Sequence, residues 1–239
     1  MTWALALVAV TLGAALQRIT GLGFVLVSGS LLVLVLGPFD GIILANILSG
    51  VIAVAVLVRT YTDADWRAVK RLLVGVLLGL PLGVAVVRLL DPRFLLVTVG
   101  GLTVVAVLLA FRRRPMPFLS RPSGPVIAGS VSAFSNVTAG VGGPALAIYG
   151  VATAMPMQVF IPTVQAVALV MNIASVVVKI PFTLPLPLVL AALGCVAVGL
   201  GAGSLLRRLV SAHAAQRLAL ALALLGAVAA TVLGVVQLV

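Results

Sequence analysis

The chain is made of long apolar runs that are separated by short clusters of charged residues. Only 8% of its 239 residues are charged and its mean hydropathy is +1.37, whereas a soluble domain carries about 25% charged residues. A soluble core of this size cannot hide so much apolar surface, because most side chains of a small domain still touch water. Runs near the length of a bilayer crossing predict helices. We therefore expect an all-α polytopic membrane protein.

The gaps between charges predict the individual spans. Residues 2–36 and 125–154 are each too long for one crossing and short for two, and each is interrupted by glycines and polar residues. The interruptions are "QRITGLGF" and "SNVTAGVGGP", and we expect each region to be a broken helical hairpin. The first one lacks a basic leader and is expected to belong to the mature fold. The predicted full spans are roughly 41–58, 72–88, 94–111, 157–178, 187–206 and 217–238.

The two breaks resemble each other at a spacing of 119 residues, which indicates an internal duplication. Each half then has one broken hairpin followed by three full spans. We predict a first repeat at 1–111 (hairpin 2–36), a basic, proline-containing cytoplasmic linker at 112–124, and a second repeat at 125–239 (hairpin 125–154). The residues that match across this spacing are Gln17 with Asn136, Gly21 with Gly140, Gly23 with Gly142, and Asn46 with Gln165.

The positive charges orient the spans. If each hairpin returns to its starting side, eleven basic residues fall on one face and three, Arg88, Arg93 and Lys179, on the other. The rich face should be cytoplasmic, which puts both termini outside and makes the two repeats inverted. If both arms of each hairpin cross the membrane fully, the loops lie on the same sides as before. If each broken region is instead one kinked helix, the basic residues are divided less clearly between the two faces. Because the net charge of +11 is spread over loop clusters, we expect no nucleic-acid partner.

Broken helices inside a membrane place free backbone N–H groups, and partial positive charge, where an anion can bind. Arg18 lies in the first break, and an intramembrane arginine is a functional candidate by default, although it could also extend to the interface. We therefore predict a central site for a small anion. The candidate substrate-binding residues are Gln17, Arg18, Thr20, Gly21, Gly23, Ser135, Asn136, Thr138, Gly140, Gly142 and Gly143, with Asn46 and Gln165 nearby; Asn172 is interpreted as a helix-packing residue.

At these residues the chain resembles the sulfite exporter TauE/SafE family of membrane permeases. The resemblance covers nearly the whole length and depends on "QRITGLGFVLVSGSLLVLVLGP" and "SAFSNVTAGVGGPALAIYG", each followed by a span that carries a polar residue. It implies transport of a sulfur-containing anion such as sulfite, a sulfonate or sulfoacetate, and in some members of another organic anion.

The preferred interpretation is a secondary transporter of the bacterial inner membrane that works by alternating access. An anion channel is the alternative. An enzyme is disfavoured, because one His and one Cys without evident partners supply no catalytic set or metal site, and we expect no cofactor. The expected partners are the small anion and the lipid bilayer, and a homodimer is one arrangement that the sequence leaves open.

Overall fold

A computed structural model describes residues 2–21, 24–112, 116–207 and 209–236, and in these ranges all the regular structure is helical. The all-α prediction is therefore confirmed. A π-helical turn, Val25–Gly29, precedes α2, and short 3-10 turns lie at Tyr61–Asp63 and Pro117–Ser120. The α-helices are α1 (Thr2–Thr20), α2 (Ser30–Leu36), α3 (Pro38–Thr60), α4 (Trp66–Leu89), α5 (Pro92–Arg112), α6 (Gly124–Ala139), α7 (Gly143–Ala152), α8 (Met157–Val177), α9 (Leu186–Leu206) and α10 (Ala212–Val236).

Six helical segments of the described chain are long and apolar enough to cross a membrane, so the protein is a multi-pass membrane protein. Each predicted span overlaps a helix, and five of the six overlap one of these segments; the predicted span 94–111 lies on α5, which is not among the six, and residues 237–238 of the last predicted span lie outside the described residues. Before the first break α1 reaches spanning length, whereas the helical segments after the two breaks, Val25–Leu36 and Gly143–Ala152, are shorter. The six segments are Trp3–Thr20, Pro38–Asp63, Trp66–Leu89, Met157–Val177, Leu186–Leu206 and Ala214–Val236.

Helices pack across the two halves through glycines. α4 lies against α6, where a Cβ on Gly75 or Gly79 would collide with the α6 backbone at Val126 or Ser130. α1 lies against α9 in the same way, at Gly199 and Gly203. Small residues let membrane helices approach closely. In lipid the hydrophobic effect does not drive helices together, so the van der Waals contacts made at this short distance stabilise the pair. In both pairs the close contacts advance in the same direction along the chains, so the helices are parallel.

The remaining major contacts join α3 to α8 and α5 to α10. α3 and α8 are antiparallel, because Asn46 contacts Ser175 whereas Gly50, one turn later, contacts the earlier residue Asn172. Two apolar clusters flank this central pair. One combines α1, α2, α3 and α9, and the other combines α4, α6, α7 and α8. Each cluster therefore draws helices from both halves of the sequence.

The predicted linker at 112–124 lies between α5 and α6. Residues 113–115 are outside the described ranges, and the 3-10 turn that follows them buries Leu119 against the second apolar cluster. Gly124 packs on the Leu119 backbone, which fixes where α6 begins.

Candidate functional site

The two breaks meet at an internal cavity of about 60 Å³ between the middle of α3 and the middle of α8. Gln17 and Phe24 contribute from the first break, and Asn136 and Gly143 from the second. This volume is several times the roughly 10–15 Å³ that a cavity needs to hold one water molecule. It is well below the roughly 300–1,000 Å³ of pockets for drug-sized ligands. The cavity therefore has the size for a small ion.

The first break is held by one side chain. The Gln17 amide donates from Nε2 to the Gly21 carbonyl at 2.9 Å, and its Oε1 accepts the Phe24 backbone N–H at 2.9 Å. Gly21 ends α1 with φ of +81°, a conformation that glycine adopts without strain. Thr20 donates from Oγ1 to the Leu16 carbonyl. Gly23, a predicted site residue, lies outside the described residues.

The second break repeats the glycine turn. Gly140 has φ of +70°, and its N–H donates to the Asn136 carbonyl at 2.8 Å while the Val141 N–H donates to the Ser135 carbonyl at 3.2 Å. The first of these bonds is the 5→1 bond of an αL helix end, and together they satisfy two carbonyls near the end of α6. Thr138 donates from Oγ1 to the Phe134 carbonyl, a bond within its own helix.

α7 begins at the cavity. Gly142, Gly143 and Pro144 line it, and no side chain caps the start of the helix. The first N–H groups of a helix have no intrahelical acceptor and carry partial positive charge. The start of α7 therefore presents donors to whatever occupies the cavity.

Three of the polar side chains at the cavity keep unused hydrogen-bonding capacity. Asn136 donates from Nδ2 to Asn172 Oδ1 at 3.1 Å, but its own Oδ1 and the Ser49 hydroxyl are buried without a partner. Gln165 is 5% exposed, and its side-chain amide has no hydrogen-bond partner among the described residues. Buried polar groups without partners cost free energy. This cavity is therefore prepared for a polar occupant.

Other predicted residues that the structure describes do not line the cavity. Arg18 is exposed and donates from Nε to Ser204 Oγ of α9 at 2.8 Å. Asn46 is buried and donates from Nδ2 to Ser175 Oγ at 2.9 Å, one helical turn from Ser49. Of the predicted substrate-binding residues, those that line the cavity are Gln17, Asn136, Gly142, Gly143 and Gln165.

Ser49 and Asn172 line the cavity as well, although the sequence analysis did not include them in the site. The signal for Asn172 was present, because it follows Gln165 by seven residues and so shares its helix face. Ser49 likewise follows Asn46 by three residues.

The family model for the sulfite exporter TauE/SafE family matches residues 5–230, which covers both breaks and all but the ends of the chain. No curated protein and no solved structure matches the chain.

Proposed function

The chain belongs to the sulfite exporter TauE/SafE family, and on that premise we propose that it moves a small sulfur-containing oxyanion across the membrane by alternating access. The family makes it a membrane permease of the sulfite-exporter type, and members of this family are transporters rather than enzymes. Sulfite, a sulfonate or sulfoacetate is the proposed substrate class.

The observation that carries this proposal is the cavity where both breaks meet. Its polar lining is neutral, consisting of the amides of Gln17, Asn136, Gln165 and Asn172 and the hydroxyl of Ser49, and no described residue that lines it is charged. Ser49, Gln165 and the start of α7 can donate to an anion, whereas the unpartnered Oδ1 of Asn136 is an acceptor. Neutral donors together with a helix start hold an anion without neutralising it, so the anion can leave again. In transporters, the starts of broken helices are aimed at anionic substrate groups in this way.

The helix packing supports the inverted-repeat arrangement that alternating access requires. Gly21 faces Ile161 of α8, and Gly140 faces Ile42 of α3. Gly140 and Ile161 follow Gly21 and Ile42 by 119 residues, the same spacing that relates the breaks, so each contact is the counterpart of the other. The central helices α3 and α8 correspond to each other under this spacing and are antiparallel, as inverted repeats demand. Each break therefore contacts a central helix from the other half of the sequence. A movement of one half would change the lining of the cavity on both sides.

Arg18 keeps a proposed role in anion binding, on the route to the cavity. Its Cβ faces Gly203 of α9, whereas Val137 faces Gly83 of α4 at the corresponding place in the other half. Arg18 thus lies near the end of α9, where Ser204 accepts its hydrogen bond and the exposed Arg207 follows three residues later. We place it at the mouth that opens toward the basic loops, where a guanidinium attracts oxyanions.

The membrane assignment follows the charge distribution. We place the protein in the bacterial inner membrane, with the basic loops in the cytoplasm, both termini in the periplasm, and a homodimer as an arrangement to be tested.

Uptake into proteoliposomes tests the proposal. Labelled sulfite and methanesulfonate should enter with saturable kinetics and exchange with internal anion. Replacing Gln165 by Leu should raise KM about tenfold to a hundredfold, because a hydrogen bond to a charged group contributes about 1.5–3 kcal/mol. The same change at the exposed Gln216 of α10 is the matched control and should leave KM unchanged. Arg18→Gln should raise KM only for anion that enters from the basic face.

Three outcomes would count against parts of this proposal. Flux that rises linearly with concentration and shows no exchange would favour a channel. Absence of uptake of either anion by folded protein would exclude this substrate class. Equal KM for the Gln165→Leu variant and the wild-type protein would remove the cavity from the binding site.

A further inference from the structure

α8 carries a polar face that runs beyond the cavity. Gln165, Asn172, Ser175 and Lys179 follow at intervals of seven, three and four residues, so they stand above one another on one side of the helix and its C-terminal extension. All four are buried, with exposed fractions of 5%, 3%, 0% and 4%. Polar groups buried inside a membrane protein are costly and mark substrate pathways.

Hydrogen bonds connect the far end of this face to α3. Lys179 donates from Nζ to Ser175 Oγ at 2.7 Å, and Asn46 donates from Nδ2 to the same oxygen at 2.9 Å. Ser175 is one turn from Asn172, and Asn46 is one turn from Ser49, and both of these neighbours line the central cavity. The polar groups therefore continue from the central cavity to the Lys179 ammonium.

Lys179 opens onto a second, larger cavity of about 290 Å³. Arg88, at the end of α4 remote from its basic first turn, lines the same cavity, and the other lining residues are Phe39, Val84, Val87, Val137, Val178, Ile180 and Pro181. Two cations thus share one cavity, and none of its described lining residues is acidic.

The charged neighbours of this cavity are few. α4 contributes Arg88, α6 contributes the apolar Val137, and α3 contributes Phe39, whose neighbour Asp40 is half-buried and does not line the cavity. Asp91 follows α4 and also lies outside the lining. Among the described residues that line this cavity, the charged ones are therefore Lys179 and Arg88, and both are positive.

We propose that Lys179 and Arg88 form a second anion site, an outer vestibule through which the substrate oxyanion passes to or from the central cavity along the polar face of α8. This inference rests on the proposed function and extends it to the face opposite the basic loops. The ligand class is a small sulfonate or sulfite-like oxyanion. The Arg88 guanidinium can bind two oxygens of such an anion, and the Lys179 ammonium attracts it as a point charge.

Burial lowers the pKa of Lys179, just after the end of α8, to about 7. Because burial disfavours the charged form, the ammonium is charged below this pH and loses its proton above it. A bound anion favours the charged form and must therefore raise this pKa. Anion binding at the vestibule is accordingly strongest at acid pH and weakens as the pH rises through 7.

The chain contains two lysines, Lys70 and Lys179, which makes a direct measurement feasible. Lysine labelled with carbon-13 at Cε reports the charge of each ammonium by NMR in detergent micelles, and Lys70→Arg assigns the two signals. Lys70 is exposed on α4 near its start and serves as the internal control. Methanesulfonate, which keeps one charge throughout the titration, should raise the apparent pKa of Lys179 by about one unit or more and leave that of Lys70 in place. No shift at Lys179, or equal shifts at both lysines, overturns the proposal.

Transport kinetics provide the second readout. The KM for methanesulfonate entering from the Lys179 side should rise about tenfold between pH 6 and pH 8 in the wild-type protein. Lys179→Arg should keep KM low at both pH values, and Lys179→Met should keep KM high at both. In each variant kcat should change by a smaller factor than KM. A structural role for Lys179 would change stability or kcat without altering the pH profile, and a wild-type pH profile in either variant contradicts the vestibule.

The two proposals fail separately. A Lys179 signal that responds to methanesulfonate in a protein that transports neither anion would keep the vestibule and reject the proposed function. Transport of either anion without any response of Lys179 would keep the function and reject the vestibule.

Discussion

Gly21 and Gly140 end the two helices that enter the centre of the protein, and both adopt positive φ. The sequence predicted these two breaks, because polar residues and glycines interrupt apolar runs at matching positions. It could not predict that Gln17 would bridge its own break, since this depends on how the chain turns between Gly21 and Phe24. The sequence did not predict the directions of the side chains either: Arg18 follows Gln17 directly, yet Arg18 faces α9 whereas Gln17 lines the cavity.

Replacing Gly140 by Ala should destabilise the protein by about 1–2 kcal/mol, the cost of a left-handed conformation for a residue with a Cβ. The nearest atom to that Cβ would be a side-chain carbon of Ile42 at 3.7 Å, an ordinary contact, so the backbone alone is responsible. Gly140→Asn should cost less, because Asn adopts this conformation more readily. Thermal unfolding in detergent measures the effect. Gly101→Ala, where the Cβ meets nothing within 4 Å, is the control, and equal stability of the Ala variants would contradict the argument.

At the scale of elements, glycines decide which helices touch. Gly75, Gly79 and Gly83 recur every four residues on one face of α4, and this face packs on α6. A helical pattern in one sequence identifies a face but not its partner, because any small-residue face can receive any other. This is why the spans were predicted well whereas the pairing of α1 with α9 and of α4 with α6 was not.

Gly79→Ala should separate α4 from α6, because the added methyl group would collide with the Ser130 backbone, which cannot rotate away. Overpacking of this kind costs about 1–3 kcal/mol. The expected result is a lower melting temperature and more aggregate in size-exclusion chromatography. Gly201→Ala in α9 introduces the same methyl group into open space and should be neutral or slightly stabilising. If both variants behave alike, the α4–α6 contact is looser than the structure indicates.

For the whole molecule, topology follows from which loops share a face. The hairpin arrangement puts the α3–α4 and α9–α10 loops together and the α8–α9 loop opposite. If each broken region were a single kinked helix, the α9–α10 loop would instead move to the outer face. The charge count predicts the first arrangement, and the antiparallel packing of α3 on α8 supports it.

Single cysteines can test this arrangement in a Cys195→Ser background. Thr183→Cys, in the exposed α8–α9 loop, should react with a membrane-impermeant thiol reagent in intact cells. Thr62→Cys and Ser211→Cys, also exposed, should react only after the membrane is opened. Labelling of Ser211→Cys in intact cells, together with protection of Thr183→Cys, would favour the kinked-helix alternative and overturn the inverted repeats.

The pairing of α1 with α9 has a consequence for how the protein is made. During synthesis α1 emerges from the ribosome first. The helix whose glycines pack against it, α9, emerges only after most of the chain has been synthesised. Because α4 receives α6 much sooner, that half of the bundle can assemble during translation while α1 is still waiting. The side of α1 that faces Gly199 and Gly203 must therefore remain uncovered in lipid, or be held by the insertion machinery, until the second half arrives, and a truncated nascent chain that ends before α9 should leave α1 open to degradation.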